Sequence, residues 1–123
     1  MSYTIIENLT RGTIIADRAE VARSLLARGR GLMGRPSLPA GYGLILVPES
    51  SIHMFFMRIP IDVLFVDRQH RVINIREALP PWHPFAGVAP WRGYYVIELP
   101  VGAIRSSCTR VGDQLRVTPD LDQ

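Results

Sequence analysis

Prolines and glycines interrupt this sequence throughout its length, and they limit the chain to short structural elements. Ten residues of each type are spread over 123 positions. Proline cannot donate a backbone hydrogen bond, and both residue types favour turns over the interior of helices and strands. The chain is therefore expected to fold into many short elements joined by tight turns.

One segment, at positions 16–34, has the pattern of a helix. Asp17 can act as the N-cap, and Glu20 three residues later would close a capping box. Arginines occupy the other faces, and glycines from position 29 onward would end the helix. The apolar stripe of this helix would be formed by Val21, Leu25 and Leu26.

The remaining segments predict strands. Apolar residues run or alternate over short distances between turn residues. The predicted strands cover positions 3–7, 13–15, 43–47, 52–57, 61–66, 71–78, 94–99 and 114–118, with a second short helix at 102–109. Helices between successive strands are missing, which disfavours a parallel sheet. We predict a mainly β (α+β) fold: a small antiparallel sheet, curved or partly closed like a β-barrel, with the helix of the N-terminal region packed on it.

The composition is typical of one globular domain, covering positions 1–123. Hydrophobic residues make up 47% and charged residues 20%, which separates the chain from disordered sequences. No apolar run reaches the length of a membrane span, and the first twenty residues lack the continuous apolar segment of a signal peptide. A cytoplasmic protein is expected.

Cysteine usage and charge narrow the function classes further. Cys108 is the only cysteine, so the chain can form neither an intrachain disulfide nor a cysteine-based zinc site, and we predict no cofactor. The formal net charge is +3, but all 14 basic residues are arginines scattered along the chain. Nucleic-acid binding is therefore disfavoured.

Polar residues in one of the most apolar parts of the chain are the first candidates for a site. The predicted strand places His53 and Met57 on one face and Arg58 on the other. Asp62 follows in a strand with two apolar faces, so its carboxylate must be paired or hydrogen-bonded. Arg58 is the nearest partner, with His53 or the backbone amides of the 59–60 corner as alternatives. Asp62 is therefore either a structural residue or a ligand contact.

Glu98 is a second acid in an apolar strand and is either a paired structural group or part of a site. If it faced the same interior as Asp62, the two could form an acid/base pair of the glycosidase kind. His53 is either a satisfied core histidine or a proton-transfer or ligand-contacting residue. Copper(I) binding by His53, Met54 and Met57 is disfavoured, because Met54 would point away from His53.

The proline-rich loop at positions 80–91 is aromatic. Its rings either anchor the loop to the sheet or form a surface for a sugar or a protein partner. The residues concerned are Trp82, His83, Phe85 and Trp91.

Several motifs follow one another in the order of a known family. They are RGLMGR at 30–35, GLILV at 43–47, FFMR at 55–58 with IPIDVLFVD at 59–67, and YVIEL at 95–99 followed by Gly102 and Gly112-Asp113. In these motifs the chain resembles, over about positions 11–117, the bacterial and archaeal family known as domain of unknown function 192 (DUF192). The resemblance implies a single small, largely β domain with a helix near its start, no established activity, and relatives that are often exported.

These observations predict a module that binds an unknown small molecule or a protein partner. Its cleft is expected near the corner of His53, Arg58 and Asp62. The predicted ligand-binding residues are Arg35, His53, Met57, Arg58, Asp62 and Glu98, with no metal ligand and no catalytic residue assigned. The alternative is a small hydrolase-like enzyme using His53 with Asp62 or Glu98, which requires His53 within hydrogen-bond reach of a carboxylate in an open pocket.

Overall fold

Short strands dominate the computed structural model, which describes residues 3–122. The strands are β1 (Thr4–Asn8), β2 (Thr13–Ala22), β3 (Tyr42–Leu46), β4 (Ser51–Ile52), β5 (Ile61–Val66), β6 (Val72–Leu79), β7 (Ala86–Gly87), β8 (Tyr95–Leu99) and β9 (Leu115–Thr118). The helices are α1 (Leu25–Arg30) and α2 (Ala103–Ser106). The predicted mainly β fold is confirmed. No helix among residues 3–122 is long and apolar enough to cross a membrane.

Seven strands form one curled sheet in the order β6-β5-β8-β3-β2-β1-β9, while β4 and β7 pair separately. Every neighbouring pair is antiparallel except β2 and β3, which are parallel. The two edges of the large sheet approach each other at one end, where Arg71 and Gln114 form an antiparallel bridge. The sheet is therefore a half-barrel whose edges meet at this bridge.

Side-chain alternation divides the core into two apolar clusters, one on each face of the sheet. In β8, Tyr95, Ile97 and Leu99 belong to the first cluster, which also contains residues of both edge strands. The curl therefore encloses that cluster, and we call its side the inner face. Val96 belongs to the second cluster, on the outer face, where loops and the segment after α1 cover the sheet. Each large apolar side chain buried in this way stabilises the fold by about 1.5–3 kcal/mol.

The helix predicted at positions 16–34 is wrong in its first half, which is strand β2. Residues of β2 pair with β1 on one side and with β3 on the other, so tertiary pairing overrides the local helical pattern. The helix covers only Leu25–Arg30 and is capped by Ser24, whose Oγ accepts from the Ala27 N–H at 3.0 Å. Leu25 and Leu26 are 80% and 82% exposed, so they form no buried stripe.

The strand predicted at positions 52–57 is wrong beyond Ile52, where β4 ends. The backbone of Met54 bonds to the proline-rich loop instead: its N–H donates to the His83 carbonyl at 2.8 Å, and its carbonyl accepts from the Trp82 N–H at 2.7 Å. The chain then turns through Phe56, whose φ of 65° is left-handed. Strand alternation therefore does not decide where the side chains of this segment point.

Candidate functional site

Glu98 carries the only buried side-chain oxygen or nitrogen without a hydrogen-bond partner among residues 3–122. It lies in β8 opposite Leu44 of β3 and Val63 of β5, in the middle of the outer face. Its side chain is buried, with 4% exposure of the residue, and its Oε1 accepts no hydrogen bond. A buried polar atom without a partner costs about 1–3 kcal/mol, so such atoms mark strain or function.

Burial raises the pKa of Glu98 from 4.5 to about 7. Loss of water disfavours the ionised carboxylate, and no neighbouring charge within the described part of the chain counteracts this effect. Both protonation states are therefore accessible near neutral pH.

A cavity of about 90 Å³ opens beside Glu98. It lies between the outer face of the sheet, the end of α1 and the segment around β4. Its volume accommodates several water molecules or the head of a small ligand. The apolar lining includes Leu32, Leu46, Ile52 and Met57, and the polar lining includes Arg28, Glu49, Ser51 and His53.

Gly31 ends α1 and lies directly against Glu98. Its φ of 48° and ψ of −126° form a backbone conformation that residues with a side chain rarely adopt. A Cβ atom at this position would lie 3.3 Å from Glu98 Oε1. Glycine is therefore favoured here by the backbone conformation, and a side chain would press against the carboxyl group.

His53 and Met57 line the same cavity as Glu98. His53 Nδ1 accepts a hydrogen bond from the Phe55 N–H at 3.1 Å, which places the proton of the neutral ring on Nε2. The imidazole also packs against the Phe55 ring at a centroid distance of 5.1 Å. His53 can therefore donate from Nε2 to a ligand, while Met57 supplies a buried apolar wall.

Arg28 and Glu49 also border the cavity, although neither was predicted. Arg28 Nη1 lies 3.6 Å from Glu49 Oε2 and donates to the Pro48 carbonyl at 2.7 Å. Its Nε donates to the Arg23 carbonyl at 3.2 Å. The guanidinium group is thus held by other partners than Glu98. Arg28 lies inside α1 and Glu49 in the loop between β3 and β4, and no sequence motif signals either residue.

Asp62 has a structural role on the inner face. Its Oδ1 accepts from the Ala78 N–H at 2.9 Å, and its Oδ2 accepts from the N–H groups of Gly102 and Ile104 at 3.0 and 3.1 Å. Three backbone donors thus satisfy this carboxylate, in place of the ion pair with Arg58 that the sequence favoured. Asp62 joins β5 to β6 and to the start of α2.

Arg35 and Arg58 lie outside the cavity. Arg35 Nη1 donates to the Tyr42 hydroxyl at 3.2 Å, and its guanidinium stacks on the Tyr42 ring at 4.8 Å from the centroid. Arg58 is exposed to solvent. Of the six predicted ligand-binding residues, the structure brings three together around one cavity: His53, Met57 and Glu98.

The aromatic residues of the proline-rich loop do not share one location. Trp82 packs against Phe56 and Phe55 at centroid distances of 5.0 and 6.1 Å. Trp91, 86% exposed, borders a separate groove together with Asp67 and Arg68. Trp82 and Trp91 therefore have different neighbours among the described residues.

The sequence and the fold are similar to those of known proteins. The model of the DUF192 family, described as "Uncharacterized ACR", matches residues 6–117. A UPF0127 protein of Thermococcus sibiricus is 34% identical over 119 residues, which cover 88% of this chain and 71% of that protein.

Two crystal structures have the same fold. One is a protein of unknown function from Novosphingobium aromaticivorans, with a TM-score of 0.78 and 24% identity over 92% of this chain and 82% of that one. The other, described as a candidate transcription regulator from Sinorhizobium meliloti, has a TM-score of 0.77 and 22% identity over 95% and 96% of the two chains. At these identities the likeness concerns the fold alone.

Proposed function

The chain belongs to the uncharacterised DUF192 family, and we propose that it is a binding module for a small ligand that occupies the cavity beside Glu98. The observation that carries this proposal is the buried Glu98 Oε1, which accepts no hydrogen bond among the described residues. A ligand that donates to this oxygen would remove the cost of leaving it unsatisfied.

The lining of the cavity supports the same function. Small-molecule sites are mostly apolar pockets with a few convergent polar groups that orient the ligand. Here Leu32, Leu46 and Met57 supply apolar walls, while Glu98 and His53 supply an acceptor and a donor. Gly31 keeps the space in front of the carboxyl group open.

A hydrolase-like enzyme that uses His53 with Glu98 is the second candidate. Its support is that the two side chains line one cavity and that the Glu98 pKa of about 7 suits proton transfer near neutral pH. Among the described residues no hydrogen bond joins His53 to Glu98, so the direct pair that this hypothesis requires is not formed. Asp62 has no part in it, because its carboxylate is held on the inner face. If the enzyme hypothesis holds, a compound that binds in the cavity will be converted by the wild type. His53→Ala will still bind this compound but will not convert it, whereas Glu98→Gln will not bind it.

Thermal unfolding with a panel of small amines, alcohols, amides, acids and sugars tests the binding function. A ligand present at a hundred times its dissociation constant stabilises the fold by about 2.7 kcal/mol, which visibly raises the melting temperature. We expect a shift for the wild type and for the exposed control Arg58→Ala, and a smaller shift for Glu98→Gln. Equal shifts in Glu98→Gln, or none in the wild type with any class, would overturn the proposal.

A further inference from the structure

We propose that the ligand of this cavity carries a primary ammonium group, which forms an ion pair with the Glu98 carboxylate. This inference rests on the proposed binding function and adds the chemical class of the ligand. It starts from an imbalance in the cavity, which contains a buried acid to which no cation of residues 3–122 is bonded.

The basic side chains nearest in the lining do not neutralise Glu98. Arg28 is bonded to the Pro48 and Arg23 carbonyls and lies beside Glu49. Arg30, the other arginine of the lining, is exposed to solvent. A buried carboxylate without a partner costs several kcal/mol, so its ionised form calls for a cation from outside the chain.

The shape of the cavity suits a compact ammonium group on a short aliphatic stem. About 90 Å³ is small, and the apolar walls of Leu46, Ile52 and Met57 can contact methylene groups. An ammonium group has three donors, one of which can bond to Glu98 Oε1, and Ser51 is among the polar residues of the lining. A guanidinium group is larger and has five donors, more than this single buried carboxyl group can accept, so it fits the cavity less well.

A metal ion fits the cavity less well. Among residues 3–122 no three or more His, Cys, Asp or Glu side chains are grouped as metal ligands would be. The lining offers the carboxyl groups of Glu98 and Glu49, one imidazole and the thioethers of Met33 and Met57, which mixes hard and soft ligands. An organic cation needs only one ion pair and apolar contacts, and this lining can provide both.

Binding of an ammonium ion must be coupled to the proton on Glu98. The titratable and charged groups around the cavity are Arg28 and Arg30 of α1, Glu49 and His53 beside β4, and Glu98 itself. Arg28 and Glu49 lie close enough to offset each other, and Arg30 is exposed to solvent, so Glu98 is the buried charged group of the lining that has no partner among the described residues. A cation favours the ionised carboxylate, so binding below neutral pH releases the Glu98 proton.

Calorimetric titration with three matched probes tests this inference: propylammonium, 1-propanol and propionate. Each titration is run at about pH 6 in two buffers of different ionisation enthalpy, which gives the number of protons released. We expect propylammonium to bind at least about tenfold more tightly than 1-propanol and to release close to one proton. At about pH 8.5 the proton release should vanish while binding persists.

Two variants complete the test. Glu98→Gln should abolish both the preference for the cation and the proton release, whereas Glu77→Gln, an exposed glutamate of β6, should retain both. Circular-dichroism melts verify that each variant is folded. If 1-propanol binds as well as propylammonium without proton release, the ammonium inference is overturned while the binding function stands. If none of the three probes binds, the ammonium inference is overturned, while the binding function stands or falls with the thermal-unfolding panel.

Discussion

Glu98 and Asp62 lie on neighbouring strands of one sheet, but their carboxyl groups face opposite sides of it. In the pairing of β5 with β8, Asp62 is opposite Leu99 of the inner cluster, and Glu98 is opposite Val63 of the outer cluster. Three backbone N–H groups satisfy Asp62, whereas Glu98 Oε1 accepts no hydrogen bond within the part of the chain that the structure describes. The two acids therefore cannot act on one substrate together, and only Glu98 remains available to a ligand.

The first prediction concerns the pH dependence of stability. The folded-state pKa of Glu98 is raised to about 7 from 4.5, so between these values the folded chain binds more protons than the unfolded chain. The free energy of unfolding should therefore fall as pH rises through this window, by about 3 kcal/mol at most. Glu98→Gln should remove that part of the slope in urea unfolding measured from about pH 5 to pH 8. An unchanged slope would contradict the raised pKa.

The second prediction separates Asp62 from the arginine that the sequence assigned to it. Asp62→Ala leaves three backbone donors without their acceptor and should destabilise the fold by about 3 kcal/mol or more. Asp62→Asn keeps one carbonyl oxygen and should cost less. Arg58→Ala changes an exposed residue and should stay within about 0.5 kcal/mol in chemical denaturation. If Arg58→Ala lost as much stability as Asp62→Ala, the result would support an ion pair between Arg58 and Asp62.

The third prediction uses two glycines two positions apart. Gly31→Ala forces a positive φ on a residue with a side chain and brings its Cβ to 3.3 Å from Glu98 Oε1, so we expect a loss of about 1–3 kcal/mol. Gly29 lies inside α1, and a Cβ atom at this position would meet nothing within 4 Å. Gly29→Ala should therefore raise the free energy of unfolding by about 0.5–1 kcal/mol. Thermal melts of the two variants should therefore shift in opposite directions. A melting temperature of Gly31→Ala equal to or above that of the wild type would show that the Gly31 conformation is not required.

The fourth prediction concerns Asp113, whose pH response is opposite to that of Glu98. Burial alone would raise the pKa of Asp113, but hydrogen bonds from Arg11, Asn8 and the Arg110 N–H outweigh it and hold this pKa below its usual 3.8. The stability that Asp113 contributes is present above that ordinary pKa and is lost as pH falls through the lower, folded-state value. Asp113→Asn should therefore be less stable than the wild type at about pH 6. The difference in the free energy of unfolding between the two proteins should become smaller as the pH is lowered. A difference that stays constant down to about pH 2 would argue against the shifted pKa.

The sequence predicted the strands that are apolar on both faces and bounded by turns. The segment 61–66 forms β5 with the predicted ends, because six consecutive buried residues admit few other structures. The segment 13–22 was missed in its second half, because its charged residues imitate a capped amphipathic helix. Only the pairing with β1 and β3, which no local pattern encodes, turns it into a strand.

The site was predictable only in part, for a related reason. Glu98 was detectable as an acid in an apolar strand, and His53 and Met57 as polar or polarisable residues close to one another in sequence. Their common cavity depends on the turn after Ile52, which is set by hydrogen bonds from Met54 to the proline-rich loop. The contact of Gly31 with Glu98 joins positions 67 residues apart, and the RGLMG motif by itself indicates only the end of a helix.

The pairing of β1 with β9 joins the first strand of the chain to the last, with Ile5 opposite Thr118 and Asn8 opposite Leu115. A ribosome delivers the chain from its N-terminus, so β1 and β2 can form their hairpin while β9 is still inside the exit tunnel. The free edge of β1 then stays open to other extended segments until the final strand emerges. Completion of this sheet therefore waits for the synthesis of β9, and a nascent chain stalled before Leu115 carries an unprotected edge.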